Sequence, residues 1–416
     1  MKKILKISLK IILGIIVFII VFLIVFGFSI RHKDDTYDKW SGLRAIFEKD
    51  REFGIFLNQK EIYELNGFDG PYLIDSTYYF VNENNEIKTQ KFNNNDSLLV
   101  QVDNRKKDFF YVHINDSIKI SNSIFEMPEK LIAISDIEGN FEAFSSFLKA
   151  NRIIDEKFNW IFGNGHLVLN GDFVDRGQNV TQVLWLIYKI ENQAKEAGGK
   201  VHYILGNHEL LNFQGSYKYN NRKYIQVSEL IFKNHDKSNL SVTTNSDYIK
   251  YIYSHKTEIG KWLNSKSGII KIGNYIFVHG GISPEILKHD LSISEINEIS
   301  RKNLNSDLYH NPKDDEQANF IIGRKGIFWY RGLATDYKYY DKINEIELDN
   351  ILKKLNASKI VHGHTVVEDI TKSFNGKVIN IDVKHGDYNN LEKTKGILIE
   401  NGAEYKINAK GNKEKM

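Results

Sequence analysis

Five times between residues 131 and 365, a short apolar run stops at a cluster of carboxylate, imidazole or amide side chains. LIAIS (131–135) runs into Asp136 and Glu138, HLVLN (166–170) into Asp172, Asp175 and Arg176, and VHYIL (201–205) into Asn207 and His208. YIFVH (275–279) ends on His279, and KIVH (359–362) leads to His364. Such runs, bounded by turn residues, read as buried strands. Helical patterns fill the intervals: Phe141, Phe144, Phe147 and Leu148 share one face, and a second amphipathic helix is expected over about 180–195. Strands KVINI (377–381) and GILIE (396–400) follow, with polar, largely helical inserts at about 210–262 and 285–325. The alternation makes the region α/β. In such sheets, functional groups collect where loops leave the carboxyl ends of strands. Each motif alone is a common turn or helix cap. In order, with spacings of 36, 35, 72 and 85 residues from Asp136 through Asp172, Asn207 and His279 to His364, they imply one shared site.

The chain has no cysteine, which excludes a disulfide framework, a thiolate metal site, an iron–sulfur cluster and a cysteine nucleophile. Carboxylates, imidazoles and an amide suit Mn²⁺, Fe or Zn²⁺. Two such ions, about 3.5–4 Å apart, can clamp a phosphate between them. With 56 Lys+Arg against 53 Asp+Glu the balance is nearly neutral, and no nucleic-acid partner is expected.

Charge is unevenly placed. Lys2, Lys3, Lys6 and Lys10 stand among the first ten residues without an acid, and Ile11 to Ile30 contain no ionisable group. Removing those four lysines leaves 52 basic against 53 acidic residues, so the remainder is close to −1. Twenty helical residues would cover about 30 Å, a bilayer core. The expectation is a cytoplasmic basic tail (1–10), an uncleaved transmembrane signal anchor (11–30) and a single-pass membrane protein, its remaining residues periplasmic or extracellular. A charged juxtamembrane stretch, with FEKDREFGIF as a possible helix, and a small β-rich module fill 31–128. YLIDSTYYFV, IKTQKF, SLLVQV and FFYVHI read there as strands. The α/β domain is expected over 129–408 and a disordered tail over 409–416.

GDFVDRG, GNHE, HGGISP, WYRG (329–332) and GHT (363–365) together resemble the calcineurin-like metallophosphoesterases of the phosphoprotein-phosphatase, or Ser/Thr phosphatase, type. The resemblance covers about residues 129–402. It implies a β-sandwich flanked by helices, here preceded by the anchor and the β-rich module, with two divalent metal ions at the strand ends. Carried over by position, Asp136 would bind the first metal, Asp172 would bridge both, and Asn207, His279 and His364 would complete the second. His208 would be the general acid, oriented by Asp175, with Arg176 and Arg331 on phosphate oxygens. His362 would support the ligands rather than join them.

One position departs from the pattern. The first motif is normally Asp-x-His, and here it is Asp136-Ile137-Glu138. A glutamate reaches about as far as an imidazole, so Glu138 either ligates the first metal or turns away to cap the next helix. The added charge would favour Mn²⁺ or Mg²⁺ over Zn²⁺. The implied reaction is hydrolysis of a phosphoester by a metal-bridging hydroxide. Its substrate would be a phosphoserine or phosphothreonine protein, or alternatively a dinucleoside polyphosphate or another small phosphoester. A degenerate phosphatase-fold binding protein is the rival reading, with Glu138 as the first sign of decay. Tyr217, Tyr219, Tyr224, Tyr251 and Tyr253 either stack on a substrate or pack, and His385 is a further candidate for substrate contact.

Overall fold

Side chains alternate across a strand, so a strand apolar at every position must be covered on both faces. Strand Lys130–Ile134, apolar and buried at its last four positions, shows how this is solved. Leu131 and Ala133 face a core shared with Val168, Ile204, Phe277, Val361 and Ile379, whereas Ile132 and Ile134 join Phe144, Phe147 and Trp185. The first group lies between two sheets and the second lies under helices. Each large apolar side chain buried this way contributes roughly 1.5–3 kcal/mol. The structure is a computed structural model describing residues 2–26, 28–30, 39–41 and 67–416, except 83, 85, 94–95, 116 and 236–243. The FEKDREFGIF segment lies outside the described residues.

One six-stranded sheet has the order Lys200–Ile204, His166–Asn170, Lys130–Ile134, Lys395–Glu400, Ala403–Asn408, Lys413–Lys415. Its first three strands are parallel. The other has the order Thr371–Ser373, Val378–Asn380, Lys359–His362, Tyr275–Val278, Ile269–Ile272, Ile124–Phe125. There Tyr275–Val278, Lys359–His362 and Val378–Asn380 run parallel. Asn170 ties the two layers at the strand ends, donating from Nδ2 to the Val278 carbonyl at 3.0 Å. Helices Phe141–Ala150 and Val180–Glu196 follow the first two motifs. The inserts hold helices Arg222–His235, Asn245–Ile252, Glu258–Asn264, Ile293–Asn303 and Glu316–Ile322.

Residues Leu65–Met416 form one compact unit and Met1–Glu64 another. In the larger unit, Asp69–Ile74, Thr77–Val81 and Ile87–Lys91 make a three-stranded sheet, and Ser97–Gln101 pairs with Phe109–His113. YLIDSTYYFV is therefore two strands, broken at Asp75–Ser76, where Asp75 takes the left-handed backbone (φ 51°) a tight turn needs. Phe110 stacks on Phe141 at 6.3 Å, and the Trp185 indole donates to the Pro71 carbonyl at 2.7 Å. The last residues, expected to be disordered, instead form the edge strand Lys413–Lys415.

The N-terminal expectation is corrected. Helix Lys2–Phe26 does not reach Ile30, because Phe28–Ile30 is a strand antiparallel to Lys39–Ser41. The helical part of the uncharged run, 11–26, covers about 24 Å against the roughly 30 Å of a hydrocarbon core. Among the described residues no helix is long and apolar enough to cross a membrane. The transmembrane signal anchor is overturned, and with it the membrane partner and the single-pass, extracytoplasmic location.

Candidate active site

The parallel strands of both sheets deliver their loops to one place. Six residues expected to do chemistry there, Asp136, Glu138, Asp172, Asp175, Arg176 and His364, have positive φ between 49° and 70°. A non-glycine residue in that region costs on the order of 1–3 kcal/mol, and such strain gathers at functional sites. The loops stabilise one another in return. Asp136 N–H donates to the Gly171 carbonyl and Glu138 N–H to the Asp172 carbonyl, each at 2.9 Å. Gly206 must lack a side chain, since a Cβ there would fall 2.1 Å from Asp172 Oδ1.

Asp172, 2% exposed, sits at the centre. Its Oδ2 lies 3.1 Å from His279 Nε2, and its Oδ1 accepts from the His208 backbone N–H at 2.9 Å. His279 Nδ1 faces the Asn170 carbonyl at 3.0 Å, which directs Nε2 toward Asp172 and toward Asn207 Oδ1, also 3.0 Å away. Orientation by a carbonyl behind the ring is typical of metal-binding histidines. Asp172, His279 and His364 each offer a ligand atom, all within 4.8 Å of one another. This brings together the four residues expected at the second metal position.

Asp136 takes hydrogen bonds from Ser135 Oγ and from His364 N–H, the latter at 3.4 Å. Glu138 lies within ligand reach of Asp172 and His208, and its carboxylate pairs with Arg176. Arg331 donates to the His364 carbonyl and to Thr365 Oγ1. His208 Nδ1 is 2.6 Å from Asp175 Oδ2, the expected dyad. His362 is fully buried with Nε2 lacking a hydrogen-bond partner, and burial lowers its pKa to about 4. His385 Nε2 holds the Ser135 carbonyl at 2.6 Å, so this residue supports the Asp136 loop. Tyr224, Tyr251 and Tyr253 are buried, while the Tyr219 ring lies 4.9 Å from that of His208.

The sequence reading missed two acids. Asp382, 3% exposed, follows Val378–Asn380 and so occupies a sixth strand end; DVKHG after KVINI repeats the pattern of the other five. Glu209, fully buried, accepts from the backbone N–H groups of Gly206, Asp172 and Phe173 and from Tyr203 Oη at 2.6–3.0 Å. It fastens the GDFVDRG loop to the GNHE loop.

The electrostatics fit cations. Burial, reinforced by Asp382, pushes the Asp136 carboxyl well above the usual range, and burial raises Asp382 to about 6. Burial alone would lower His279, yet Asp172 and Asp136 lift it to about 10. Burial and Arg331 keep His364 well below its ordinary value, hence neutral and able to ligate. Crowded buried carboxylates beside neutral imidazole and amide donors make a set that divalent metals satisfy.

The sequence pattern of the calcineurin-like phosphoesterases matches residues 129–368. Shewanella-like protein phosphatase 1 of Plasmodium berghei (strain Anka) is 33% identical over 264 residues, covering 64% of this chain and 67% of the relative. Shewanella-like protein phosphatase 2 of Arabidopsis thaliana is 25% identical over 296 residues, covering 64% and 73%. Among solved structures, the cold-active protein-tyrosine phosphatase of a psychrophilic Shewanella species superposes with a TM-score of 0.69 at 31% identity. That likeness covers 84% of this chain and 99% of the other. It exceeds the span from Glu129 to Met416, so it includes residues that precede Glu129. With candidate metal-ligating residues converging at the strand ends and more than half its length matching the family pattern, the chain belongs to the calcineurin-like phosphoesterases and is a metal-dependent phosphatase.

Proposed function

We propose that the chain hydrolyses phosphomonoesters on proteins, with two divalent metal positions. The observation that carries this reading is the convergence of Asp172, Asn207, His279 and His364 beside the Asp175–His208 pair. Asp136, Glu138 and Asp172 would hold one metal, and Asp172, Asn207, His279 and His364 the other. When bound, the cations supply Lewis-acid polarisation of the phosphate and acidify the attacking water. The chain's own residues do the rest. His208 delivers a proton to the leaving oxygen, a contribution of roughly 10²–10⁴ in rate. The Asp175 carboxylate accepts from Nδ1–H and favours the imidazolium, whose Nε2–H is the proton delivered. Arg176 and Arg331 present planar donors to phosphate oxygens, and phosphate competes with Glu138 for Arg176.

The likeness to a protein-tyrosine phosphatase of a psychrophilic Shewanella species shifts the expected phosphoserine or phosphothreonine preference toward phosphotyrosine. Beside His364 stand Trp329, 6.0 Å away between ring centroids, and Tyr309, 4.7 Å beyond it, a wall suited to an aromatic ring. With Mn²⁺, kcat/KM for a phosphotyrosine peptide should exceed that for the matched phosphoserine peptide and for dinucleoside tetraphosphate by at least tenfold, on the order of one aromatic contact plus its burial. Equal or inverted preferences would remove the phosphotyrosine reading. Glu138→Ala should lose one bound metal equivalent by elemental analysis; unchanged content would show that Glu138 serves only Arg176.

A further inference from the structure

Asp175 is gripped from behind. Its Oδ2 meets His208 Nδ1, and its Oδ1 accepts from Asn212 Nδ2 at 2.7 Å and from Asn220 Nδ2. The second Asn212 proton goes to the His208 carbonyl at 2.9 Å, and the second Asn220 proton to Asn212 Oδ1 at 3.0 Å. All four residues are no more than 4% exposed. With every amide proton committed, the carboxylate has one orientation, and with it the imidazole.

Asn220 itself lies in the first insert, one turn before Lys223 on helix Arg222–His235. The buried Lys223 Nζ lies 3.4 Å from Asp69 Oδ1. Asp69 opens the β-rich module and is 1% exposed. It also accepts from Tyr72 Oη at 2.6 Å, Gln182 Nε2 at 3.1 Å and Thr181 Oγ1 at 3.2 Å. Beside Lys223, Tyr224 Oη accepts from Val180 N–H at 2.7 Å and donates to the Gln178 carbonyl at 2.9 Å. The module, the helix after GDFVDRG and the insert are thus joined at one buried polar node, and that node fixes the start of helix Arg222–His235, which Asn220 immediately precedes.

We propose that Asn220 is a positioning residue for the proton donor His208, and that Asp69 of the β-rich module, through Lys223, is the base that holds it. The proposal rests on the reading of His208 as general acid. It gives residues 69–113, which hold none of the expected ligands, a part in turnover.

The test compares phenyl phosphate, whose leaving group needs a proton, with 2,4-dinitrophenyl phosphate, whose leaving group does not, using the full chain with saturating Mn²⁺. His208→Ala should lose about 10²–10⁴ in kcat on the phenyl ester and little on the dinitrophenyl ester. Asn220→Ala should lose about tenfold on the phenyl ester alone, at unchanged KM and metal content. In a His208→Ala background it should add nothing. Asn220→Asp, nearly isosteric but with an acceptor facing Asp175, should lose more than Asn220→Ala. Asp69→Asn combined with Lys223→Met should show the same ester dependence, about threefold, as expected for a partner one step removed. Equal losses on both esters, or an additive loss in the His208→Ala background, would overturn the proposal. An absent ester dependence in His208→Ala would instead overturn the general-acid reading and the proposal with it.

Discussion

Asp172→Asn should lower phosphatase turnover by at least about 10³-fold, beyond the 10–100-fold typical when a group supporting a metal ligand is lost. The substitution keeps shape and volume, so the fold should survive. What changes is the charge of the one carboxylate that both proposed metal positions share. Asp172 stays ionised because His279 and His208 offset the burial that would otherwise raise it, and its pKa is held low. An amide at this position offers one neutral oxygen, and its NH₂ would point at either the His208 N–H or His279 Nε2, both of which now face acceptor oxygens. Bound metal should fall with activity. Steady-state kinetics beside elemental analysis checks this, and undiminished turnover in the variant would remove Asp172 from the chemistry.

Glu209→Ala should cost about 3–5 kcal/mol of stability, the scale expected when several buried donors lose one acceptor and the site partly relaxes. Its two oxygens receive four donors, three of them backbone N–H groups. Losing it leaves those donors buried and unpaired, each a penalty of roughly 1–3 kcal/mol before relaxation. Glu209→Gln should recover little. Each carboxylate oxygen already accepts two hydrogen bonds, so an NH₂ at either place faces donors. Denaturant unfolding of the full chain would show the midpoint falling in both variants. A midpoint unchanged in Glu209→Ala would mean that water replaces the carboxylate, and that the two motif loops do not depend on it.

The strand ends were legible in sequence because each strand needs an uninterrupted apolar run and each site loop needs left-handed or glycine backbone, and both leave marks in the residue string. Asp136, Asp172, Asn207, His279 and His364 followed from that pattern. Asp382 carries the same mark, in the stretch where the sequence points instead to His385. The hairpin Ile269–Ile272 to Tyr275–Val278 was half missed, although Gly273-Asn274 between two apolar runs is the turn such hairpins favour. The N-terminal run misled for a different reason. Uniform apolarity says that a segment avoids water but not where its helix stops, and here strand pairing takes over at Phe28. Asn220 and Asp69 lie 45 and 106 residues from Asp175 in the chain, and nothing local marks a polar residue whose partners come from distant elements. The pairing of Glu138 with Arg176 was equally hidden, since Glu138 was expected to meet a metal or cap the next helix and Arg176 to meet phosphate.

Full-length protein stripped of metal by chelator, then titrated with Mn²⁺ while bound metal and turnover of an aryl phosphate are read on the same samples, bears most directly on the chemistry assigned to these side chains. Turnover should be absent from the stripped protein and should reach its plateau as the second equivalent binds. Full turnover with no bound metal would contradict that assignment.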